Sequence, residues 1–375
     1  MTALRILAPT RYLWTFNGPK HSRHIVERRG FLPLNLISKR IEATTIFNPW
    51  PPKRFDLVHA FNRIPLGTTP FIIGFESHLP RAYGLEKTSY FRQLCRILAC
   101  TRCRGIFPIS EHARTVFEAM HGSGPWREAL FSKVQVRLPN IDIPGGDDPL
   151  GEDRPGPLTI SFVGNHFGRK GGCVAVKVAE LALARKVPLC VEVVSSLQVG
   201  NGIWTDPSSP AFFDPYLELI NLPNVRWHGS MDNQSVIDLL RRSHFSLLAT
   251  FGDTFGFSVL ESMANSTPVI ATRQGALPEF IEHRRNGILL DLPTSGVGEW
   301  IHSSSPYRAT KRFEKIFAEE VDRLAHETLD EILAATGDAK AYRSMRREAK
   351  ETARRLFDAR AASVFWDDTY ERAFG

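Results

Sequence analysis

Two stretches in the second half of this 375-residue chain combine glycines with charged side chains. The first, residues 162–172, has the sequence FVGNHFGRKGG and lies between an apolar run and a segment of helical spacing. Glycines let a ligand approach the backbone, and N–H groups at a helix start attract phosphate oxygens. Because Arg169 and Lys170 add two cations, the pattern predicts a site that holds a diphosphate and stabilises its charge as it leaves. The competing interpretation is a glycine turn with solvated charges.

The second stretch places two carboxylates eight residues apart. Asp253 follows an apolar run typical of a strand, and Glu261 falls inside the helix predicted next. Both side chains can accept hydrogen bonds from sugar and ribose hydroxyls. However, Ser258 precedes Glu261 by three residues, so a capping box in which Glu261 bonds back to the Ser258 N–H is an equally good interpretation.

Together these stretches resemble the donor domain of the retaining glycosyl transferases group 1 family, also called family 4 of the GT-B enzymes. The V-G-x-x-x-x-R-K-G loop of that family has the sequence VGNHFGRKG here, and its E-x7-E element has the sequence DTFGFSVLE. The segments ANSTPVIA and GALPE follow in the family order, within residues 162–279. Weaker likenesses are DLVH at 56–59, ISE at 109–111, LPN at 138–140, and a C-terminal segment, 366–373.

The resemblance implies a hexosyl or related transfer from a nucleotide-diphosphate sugar to a glycan or lipid-linked acceptor, with retention of configuration. Polysaccharide or lipopolysaccharide assembly is the expected setting. No D-x-D element that would hold a catalytic cation occurs in the sequence. We therefore expect no cofactor and no metal, with phosphate neutralised by Arg169 and Lys170.

The resemblance also implies roles for single residues. Arg169 and Lys170 match the cations that hold the donor diphosphate, Asp253 matches the acidic position that contacts the transferred sugar, and Glu261 matches the one that binds the ribose. Asp253 replaces the usual glutamate and is shorter by about 1.5 Å, one carbon–carbon bond. The full donor-binding set implied is Gly164, Asn165, Arg169, Lys170, His228, Asp253, Phe255, Gly256, Phe257 and Glu261.

The acceptor side is implied by weaker likenesses. A glycine loop after the first strand corresponds to residues 14–20, in which Asn17, Gly18 and Lys20 are the candidates. A cleft histidine of the family corresponds to either Glu76 or His78, and both join the catalytic set with Asp253, Arg169 and Lys170. Ser110 and Glu111 are expected near the acceptor, although they also suit the cap and first turn of a helix.

Apolar runs alternating with helical spacing predict an α/β protein made of two Rossmann-like, doubly wound domains. The resemblance adds an interdomain cleft and a C-terminal helix that returns to the first domain. The predicted boundaries are 1–145 for the acceptor-binding domain, 146–157 for a linker, 158–355 for the donor-binding domain and 356–375 for the returning helix. Val134 to Leu138 is predicted as the last strand of the first domain.

Positive charge is concentrated in the N-terminal part of the chain. The first 150 residues hold 21 lysines and arginines against 11 acidic residues, a net charge of +10, whereas the remainder has 26 against 29, a net charge of −3. Such a surface suits a phosphorylated acceptor, nucleic acid or an anionic membrane. Residues 86–105 are predicted to form a basic amphipathic helix that docks on a membrane, or else a helix whose apolar face is buried in the domain.

Two absences in the sequence shape the remaining expectations. No apolar run approaches the 18 residues of a membrane span, and the N-terminus lacks the order of a signal peptide, which predicts a cytoplasmic protein, peripheral on the membrane at most. Cys100 and Cys103 form a C-x-x-C without further ligands at matching spacing, so no metal site is expected. The alternatives are a sugar phosphorylase on the same fold and a non-enzymatic protein that binds anionic surfaces or nucleic acid, although no nucleic-acid motif occurs and no such partner is expected.

Overall fold

The computed structural model describes residues 2–11, 13–32, 43–145 and 156–375. The chain divides into two compact units. Unit 1 consists of Met1–Asp142 together with Leu356–Gly375, and unit 2 of Ile143–Arg355. Most of the linker predicted at 146–157 lies outside the described residues.

Unit 1 is built on a five-stranded parallel sheet and a separate two-stranded pair. The strands in chain order are β1 Arg5–Pro9, β2 Ile25–Arg29, β3 Thr44–Thr45, β4 Leu57–Phe61, β5 Ile64–Pro65, β6 Phe71–Phe75 and β7 Cys103–Pro108. The large sheet has the order β2-β1-β4-β6-β7, and β3 pairs with β5. Every residue of β4 and β6 is buried, as expected for apolar runs in the middle of a parallel sheet.

Among the described residues, four helices of unit 1 come before the chain enters unit 2. They are α1 Trp14–Asn17, α2 Ser89–Ala99, α3 Glu111–His121 and α4 Arg127–Phe131. The sequence predicted a loop where α1 forms one helical turn. The edge strand β2 was not predicted, because its residues IVERR include three charges and form no apolar run.

The strand predicted from Val134 to Leu138 is wrong. Val134 makes a single bridge to Ile106, although the segment continues alongside β7 with Arg137 N donating to the Pro108 carbonyl at 2.9 Å. Pro108 has no N–H with which to donate back, so the ladder cannot continue as a regular pair.

The membrane-docking helix predicted at 86–105 is also corrected. The helix is shorter, α2, and the Thr88 hydroxyl caps it by accepting from Phe91 N at 3.3 Å. Phe91, Leu94 and Leu98 are buried in the core of unit 1. The apolar face that a membrane would need is therefore inside the protein, as the alternative interpretation held.

Unit 2 contains a six-stranded parallel sheet of order β10-β9-β8-β11-β12-β13. These strands are β8 Leu158–Val163, β9 Leu189–Val194, β10 Val225–Trp227, β11 Phe245–Leu248, β12 Val269–Thr272 and β13 Gly287–Leu290. The helices are α5 Gly172–Ala184, α6 Asp214–Glu218, α7 Asn233–Arg242, α8 Phe257–Ala264, α9 Lys311–Thr336 and α10 Ala339–Phe357. The core packs α5 and α9 over the sheet, with Phe162, Phe251 and Phe317 among its fully buried side chains.

The last helix, α11 Ala359–Phe374, belongs to unit 1. Trp366 and Tyr370 pack there against Ile6, Leu57 and Phe107 of the sheet. The residues that flank the excursion into unit 2 lie side by side, since Ile141 N donates to the Phe357 carbonyl at 2.8 Å and Ala359 N donates to the Ile141 carbonyl at 3.1 Å.

Both large sheets reverse their strand order at one point. In unit 2, β9 and β10 extend the sheet on one side of β8 and β11 to β13 extend it on the other. In unit 1 the corresponding point lies between β1 and β4. Ligands of doubly wound sheets bind outside the carboxyl ends of the strands at such points.

Two kinds of feature are absent from the described residues. None of the helices there is long and apolar enough to cross a membrane. No cluster of three His, Cys, Asp or Glu side chains suited to a metal ion occurs in the described ranges. Cys103 is buried, which raises the pKa of its thiol to about 12, whereas Cys100 is exposed.

Candidate functional site

The strongest constellation lies at the reversal point of unit 2. The loop after β8 carries Arg169 and Lys170, and the loop after the neighbouring strand β11 carries Asp253. Lys170 Nζ lies 2.6 Å from Asp253 Oδ2, with side-chain exposures of 21% and 9%. The fold therefore joins, as an ion pair, two residues that lie 83 positions apart in the chain.

The electrostatics of this pair favour full ionisation. Burial alone would raise the pKa of the Asp253 carboxyl, but the charges of Lys170 and Arg169 outweigh it and hold that pKa at about 2. Asp253 is accordingly a carboxylate at neutral pH. An anionic ligand that approaches Lys170 has to compete with it.

Arg169 is held differently. Its Nε–H donates to His166 Nδ1 at 3.0 Å, and Nη1 donates to the Gly252 carbonyl. Burial, with Arg169 and Lys170 nearby, lowers the pKa of His166, so its ring is neutral and able to accept. Within the described ranges no carboxylate forms an ion pair with Arg169. The charge of Arg169 is thus less neutralised than that of Lys170.

The turn after Asp253 is organised by the same carboxylate. Asp253 Oδ1 accepts from Gly256 N at 3.1 Å and from Phe255 N at 3.4 Å. Gly256, with φ of +82°, is the N-cap of α8, and Phe257 is the first residue of the helix. The Phe255 ring is fully buried, whereas Phe257 is partly exposed. The polar atoms of this turn therefore face Asp253.

The capping box proposed for Glu261 is wrong. The residue that precedes α8 is Gly256, and Ser258 is already inside the helix, where its carbonyl accepts from the Ser262 hydroxyl at 2.8 Å. The helix starts two residues early because glycine can take the left-handed conformation that this turn needs. Glu261 is 7% exposed in the second turn of α8. Its role toward a donor ribose stays a prediction.

The remaining donor-side candidates flank this centre. Gly164 lies beneath the stem of Lys170, since a Cβ there would come within 2.8 Å of Lys170 Cδ. Asn165 is exposed, and its Oδ1 accepts from Ser196 N at 3.4 Å. Neither residue makes a hydrogen bond to Arg169 in the described structure.

His228 follows β10 and contacts none of the Arg169, Lys170 or Asp253 side chains among the hydrogen bonds described. Its Nε2 lies 2.5 Å from Glu192 Oε2, and Arg226 Nη1 donates to the other oxygen of Glu192 at 3.0 Å. Glu192 was not among the residues predicted from the sequence. A lone carboxylate in the apolar strand LCVEVV was the available signal, because a buried charge needs a partner.

In unit 1 the candidates lie past the carboxyl end of β6. Glu76 is fixed from both ends by Asn62, whose Nδ2 donates to Glu76 Oε2 at 2.8 Å and whose Oδ1 accepts from Glu76 N at 3.0 Å. His78 is partly buried, and its ring meets Tyr83 at 5.2 Å between centroids. Burial, with Arg81 nearby, lowers the pKa of His78. A neutral imidazole there is able to accept a proton from a hydroxyl.

The glycine loop candidates follow β1. Asn17 is buried in α1, and its Nδ2 donates to the Leu13 carbonyl at 2.8 Å. Gly18 is held by Asn140, whose Nδ2 donates to the Gly18 carbonyl at 3.0 Å. Lys20 Nζ lies 3.4 Å from Asp142 Oδ2. The loop is thus held by the turn of α1 itself and by Asn140 and Asp142, at the end of the first segment of unit 1.

Ser110 and Glu111 begin α3. The Ser110 hydroxyl accepts from Ala113 N at 2.9 Å, which makes it the N-cap, and it is fully buried. Glu111 is exposed, and its Oε2 lies 3.2 Å from Arg114 Nη1. The helix-start interpretation of both residues is therefore correct, while an acceptor role stays a prediction.

Parts of the chain are similar to known proteins. Residues 157–299 match the family model described as Glycosyl transferases group 1. N-acetyl-alpha-D-glucosaminyl L-malate synthase of Bacillus anthracis is 40% identical over 76 residues, 20% of this chain and 19% of that protein. D-inositol 3-phosphate glycosyltransferase of Pseudarthrobacter chlorophenolicus is 30% identical over 172 residues, 44% of this chain and 39% of that protein. The matches therefore span less than half the length of these curated relatives.

Two solved structures match almost the whole chain. HepE of Anabaena, in complex with UDP and glucose, aligns with 99% of this chain and 100% of its own, at a TM-score of 0.62 and 14% identity. A glycosyltransferase of Rickettsia africae aligns with 100% of this chain and 99% of its own, also at 0.62 and 14%. At such identity the likeness shows the fold, which confirms the predicted GT-B architecture.

Proposed function

Because residues 157–299 form a glycosyl transferases group 1 domain and the whole chain has the GT-B fold, we propose that this protein is a glycosyltransferase. It takes a sugar from a nucleotide-diphosphate donor bound by unit 2. The observation that carries the proposal is the placement of Arg169, Lys170 and Asp253 at the carboxyl edge of the sheet, where its strand order reverses.

The proposed chemistry follows from the state of the two cations. The donor diphosphate draws on the weakly neutralised charge of Arg169 and competes with Asp253 for Lys170. As the bond to the sugar breaks, negative charge grows on the departing phosphate. Fixed cations stabilise that charge without reorganising, so we propose that the reaction needs no metal ion.

The finer features of the reaction are part of the same proposal. We infer retention of configuration from the resemblance to the family. Because the sequence points to no carboxylate nucleophile for a double displacement, we propose that the leaving phosphate assists attack from the same face. The donor-binding unit suits a hexosyl group by its likeness to HepE, which holds UDP and glucose. The acceptor is a glycan or lipid-linked molecule that meets unit 1, in cell-surface polysaccharide assembly.

The acceptor side suits an anionic partner. Lys87, Arg92 and Arg96 are exposed on unit 1, and the first 150 residues of the chain carry a net charge of +10. We propose that such side chains attract an anionic acceptor or surface from the cytoplasmic side, without any help from the buried apolar face of α2.

Thermal unfolding with added nucleotides tests the donor assignment. UDP, GDP and ADP are each added in hundredfold excess over their dissociation constant, and the matching nucleotide is expected to stabilise the protein by about 2–3 kcal/mol. Arg169→Gln should reduce that stabilisation. Arg185→Gln is the matched control, because Arg185 follows the C-terminal end of α5 and pairs with Asp330 of α9. This substitution should leave the stabilisation unchanged.

Absence of stabilisation by all three nucleotides would contradict the proposal. Release of a sugar phosphate that depends on free inorganic phosphate would instead identify a phosphorylase. Release of the nucleoside diphosphate from its sugar in the absence of inorganic phosphate supports the transferase.

A further inference from the structure

An aromatic side chain that no sequence pattern singled out lies beside Arg169. Trp204 belongs to the connection between β9 and α6, and its indole is 39% exposed. The Arg169 guanidinium carbon lies 5.9 Å from the centroid of the Trp204 ring, within the range of a cation–π contact. The two groups therefore interact at the edge of the proposed donor site.

The turn that carries Trp204 is firmly held. The Trp204 carbonyl accepts from Ser304 N at 3.1 Å, and the Asp206 carbonyl accepts from Arg308 Nε at 2.6 Å. Asp206 itself is fully buried, and its carboxyl accepts from Gly200 N at 3.1 Å across the turn. The exposed indole is therefore not the product of a loose loop.

Gly252 connects the indole to the other members of the site. A Cβ at Gly252 would come within 2.3 Å of Trp204 Cη2, so only glycine lets the ring lie so close to this backbone. The Gly252 carbonyl accepts from Arg169, and the next residue is Asp253. Trp204, Arg169 and Asp253 are thus linked through one glycine.

We propose that Trp204 is a positioning residue, which holds the Arg169 guanidinium in the orientation that meets the donor diphosphate. The inference rests on the proposed transferase function and adds a residue to its donor site. An arginine side chain loses rotamer entropy when it binds a ligand, and the cation–π contact removes part of that loss in advance. Unlike a carboxylate, an indole restrains the guanidinium without neutralising its charge.

Calorimetric titration with the nucleoside diphosphate that stabilises the wild type, UDP, GDP or ADP, tests this role. Trp204→Leu should weaken binding about 2- to 30-fold, the range expected for a cation–π contact. Trp204→Phe keeps an aromatic face and should recover most of the affinity. Trp50→Leu, which changes an exposed tryptophan of unit 1, should bind as the wild type does.

A double-mutant cycle separates positioning from other roles. If Trp204 acts through Arg169, Trp204→Leu should have no further effect in an Arg169→Gln background. An equal loss in both backgrounds would overturn the proposal, as would wild-type affinity of Trp204→Leu.

A fluorescence measurement keeps the test valid if Trp204→Leu fails to fold. Binding of the nucleotide should change the tryptophan emission of the wild type, and Trp204→Phe should lose that change. An unaltered emission change in Trp204→Phe would overturn the inference. A wild type that binds none of the three nucleotides would instead refute the proposed function itself.

Discussion

The two sheets carry different groups near the point where their strand order reverses. In unit 2 the carboxyl edge is charged, and its central contact joins Lys170 to Asp253 across neighbouring strands β8 and β11. In unit 1, β4 borders the reversal point, and neutral groups meet at the middle of this strand: His59 Nδ1 lies 2.8 Å from the Tyr370 hydroxyl, and the His59 ring lies 4.4 Å from the Trp366 ring.

The two edges also differ in how far along the chain their supports lie. The donor-side turn is held by residues within a few positions of one another, such as Asp253 and Gly256. The loop after α1 is held from the C-terminus, because Ser363 Oγ accepts from His21 N at 3.0 Å and Asp367 accepts from Arg23 N at 2.9 Å. Contacts within one turn leave a motif in the sequence, whereas contacts between remote residues, such as the Lys170–Asp253 ion pair, do not.

The largest effect that we expect comes from removing the central cation of unit 2. Lys170→Ala should lower turnover by about 10²- to 10³-fold, as found for the loss of one stabiliser of a leaving group. It should also lower the free energy of unfolding by about 1–3 kcal/mol, because Asp253 is left without its ion-pair partner. Release of nucleoside diphosphate from the sugar donor and urea unfolding measure the two effects.

A second variant separates catalysis from stability. Lys170→Ala combined with Asp253→Asn should recover the unfolding midpoint without recovering turnover. Unchanged turnover of Lys170→Ala at saturating donor would mean that the charged edge of unit 2 has no catalytic part.

A middle-sized effect should appear as opposite pH dependences of the two units. Burial lowers the pKa of His59 to about 3. Below its ordinary pKa of 6.5 the unfolded His59 takes up a proton that the folded one does not, so unit 1 loses stability as pH falls from about 6.5 to 3. Burial raises the pKa of Asp206 to about 7 from 3.8, so unit 2 gains stability as pH falls from about 7 to 4.

Each group contributes at most about 1.4 kcal/mol per pH unit within its window. Pulse proteolysis in urea at pH 5 and pH 7, with peptides assigned to each unit, measures the two stabilities. Asp206→Asn should remove its contribution from unit 2 alone, and His59→Gln should do so from unit 1 alone. Equal slopes for the wild type and both variants would show that neither buried group titrates as expected.

The smallest effect is expected at Glu261. Glu261→Gln keeps an acceptor and loses the charge, so the affinity for the nucleoside diphosphate should fall about 5-fold, the difference between a charged and a neutral hydrogen bond. Isothermal titration measures it. Ser258→Ala is the control, because Ser258 is not the cap of α8 and its loss should change the free energy of unfolding by less than about 0.5 kcal/mol.

Much of unit 2 could be predicted from the sequence. Most of its strands coincide with apolar runs, β10 with its exposed Arg226 being an exception. The loop before α5 carries Arg169 and Lys170, as the family motif implies. The Lys170–Asp253 ion pair was not predicted, because the two residues belong to separate motifs that lie 83 positions apart in the chain. Gly256 was named only as a lining residue, although its left-handed conformation decides where α8 begins.

Unit 1 was predicted less well, for physical reasons that particular residues make clear. A polar edge strand such as β2 gives no apolar run, and Pro108 breaks a ladder that apolar spacing suggests. The basic spacing of α2 suits either a membrane or a core, and burial of Leu94 and Leu98 decides for the core. Asn62, which fixes Glu76, has φ of 59°, a conformation that asparagine tolerates but that no pattern marks.

The side-by-side pairing of Ile141 with the start of α11 has a consequence for biosynthesis. Unit 2 is continuous in sequence, whereas the sheet of unit 1 has to wait for Trp366 and Tyr370 before its face is covered. The first 142 residues are therefore synthesised long before the helix that covers them, and their apolar surface stays exposed until α11 is made. A chain cut short before α11 would keep all of unit 2 but leave this face of unit 1 uncovered and prone to aggregation.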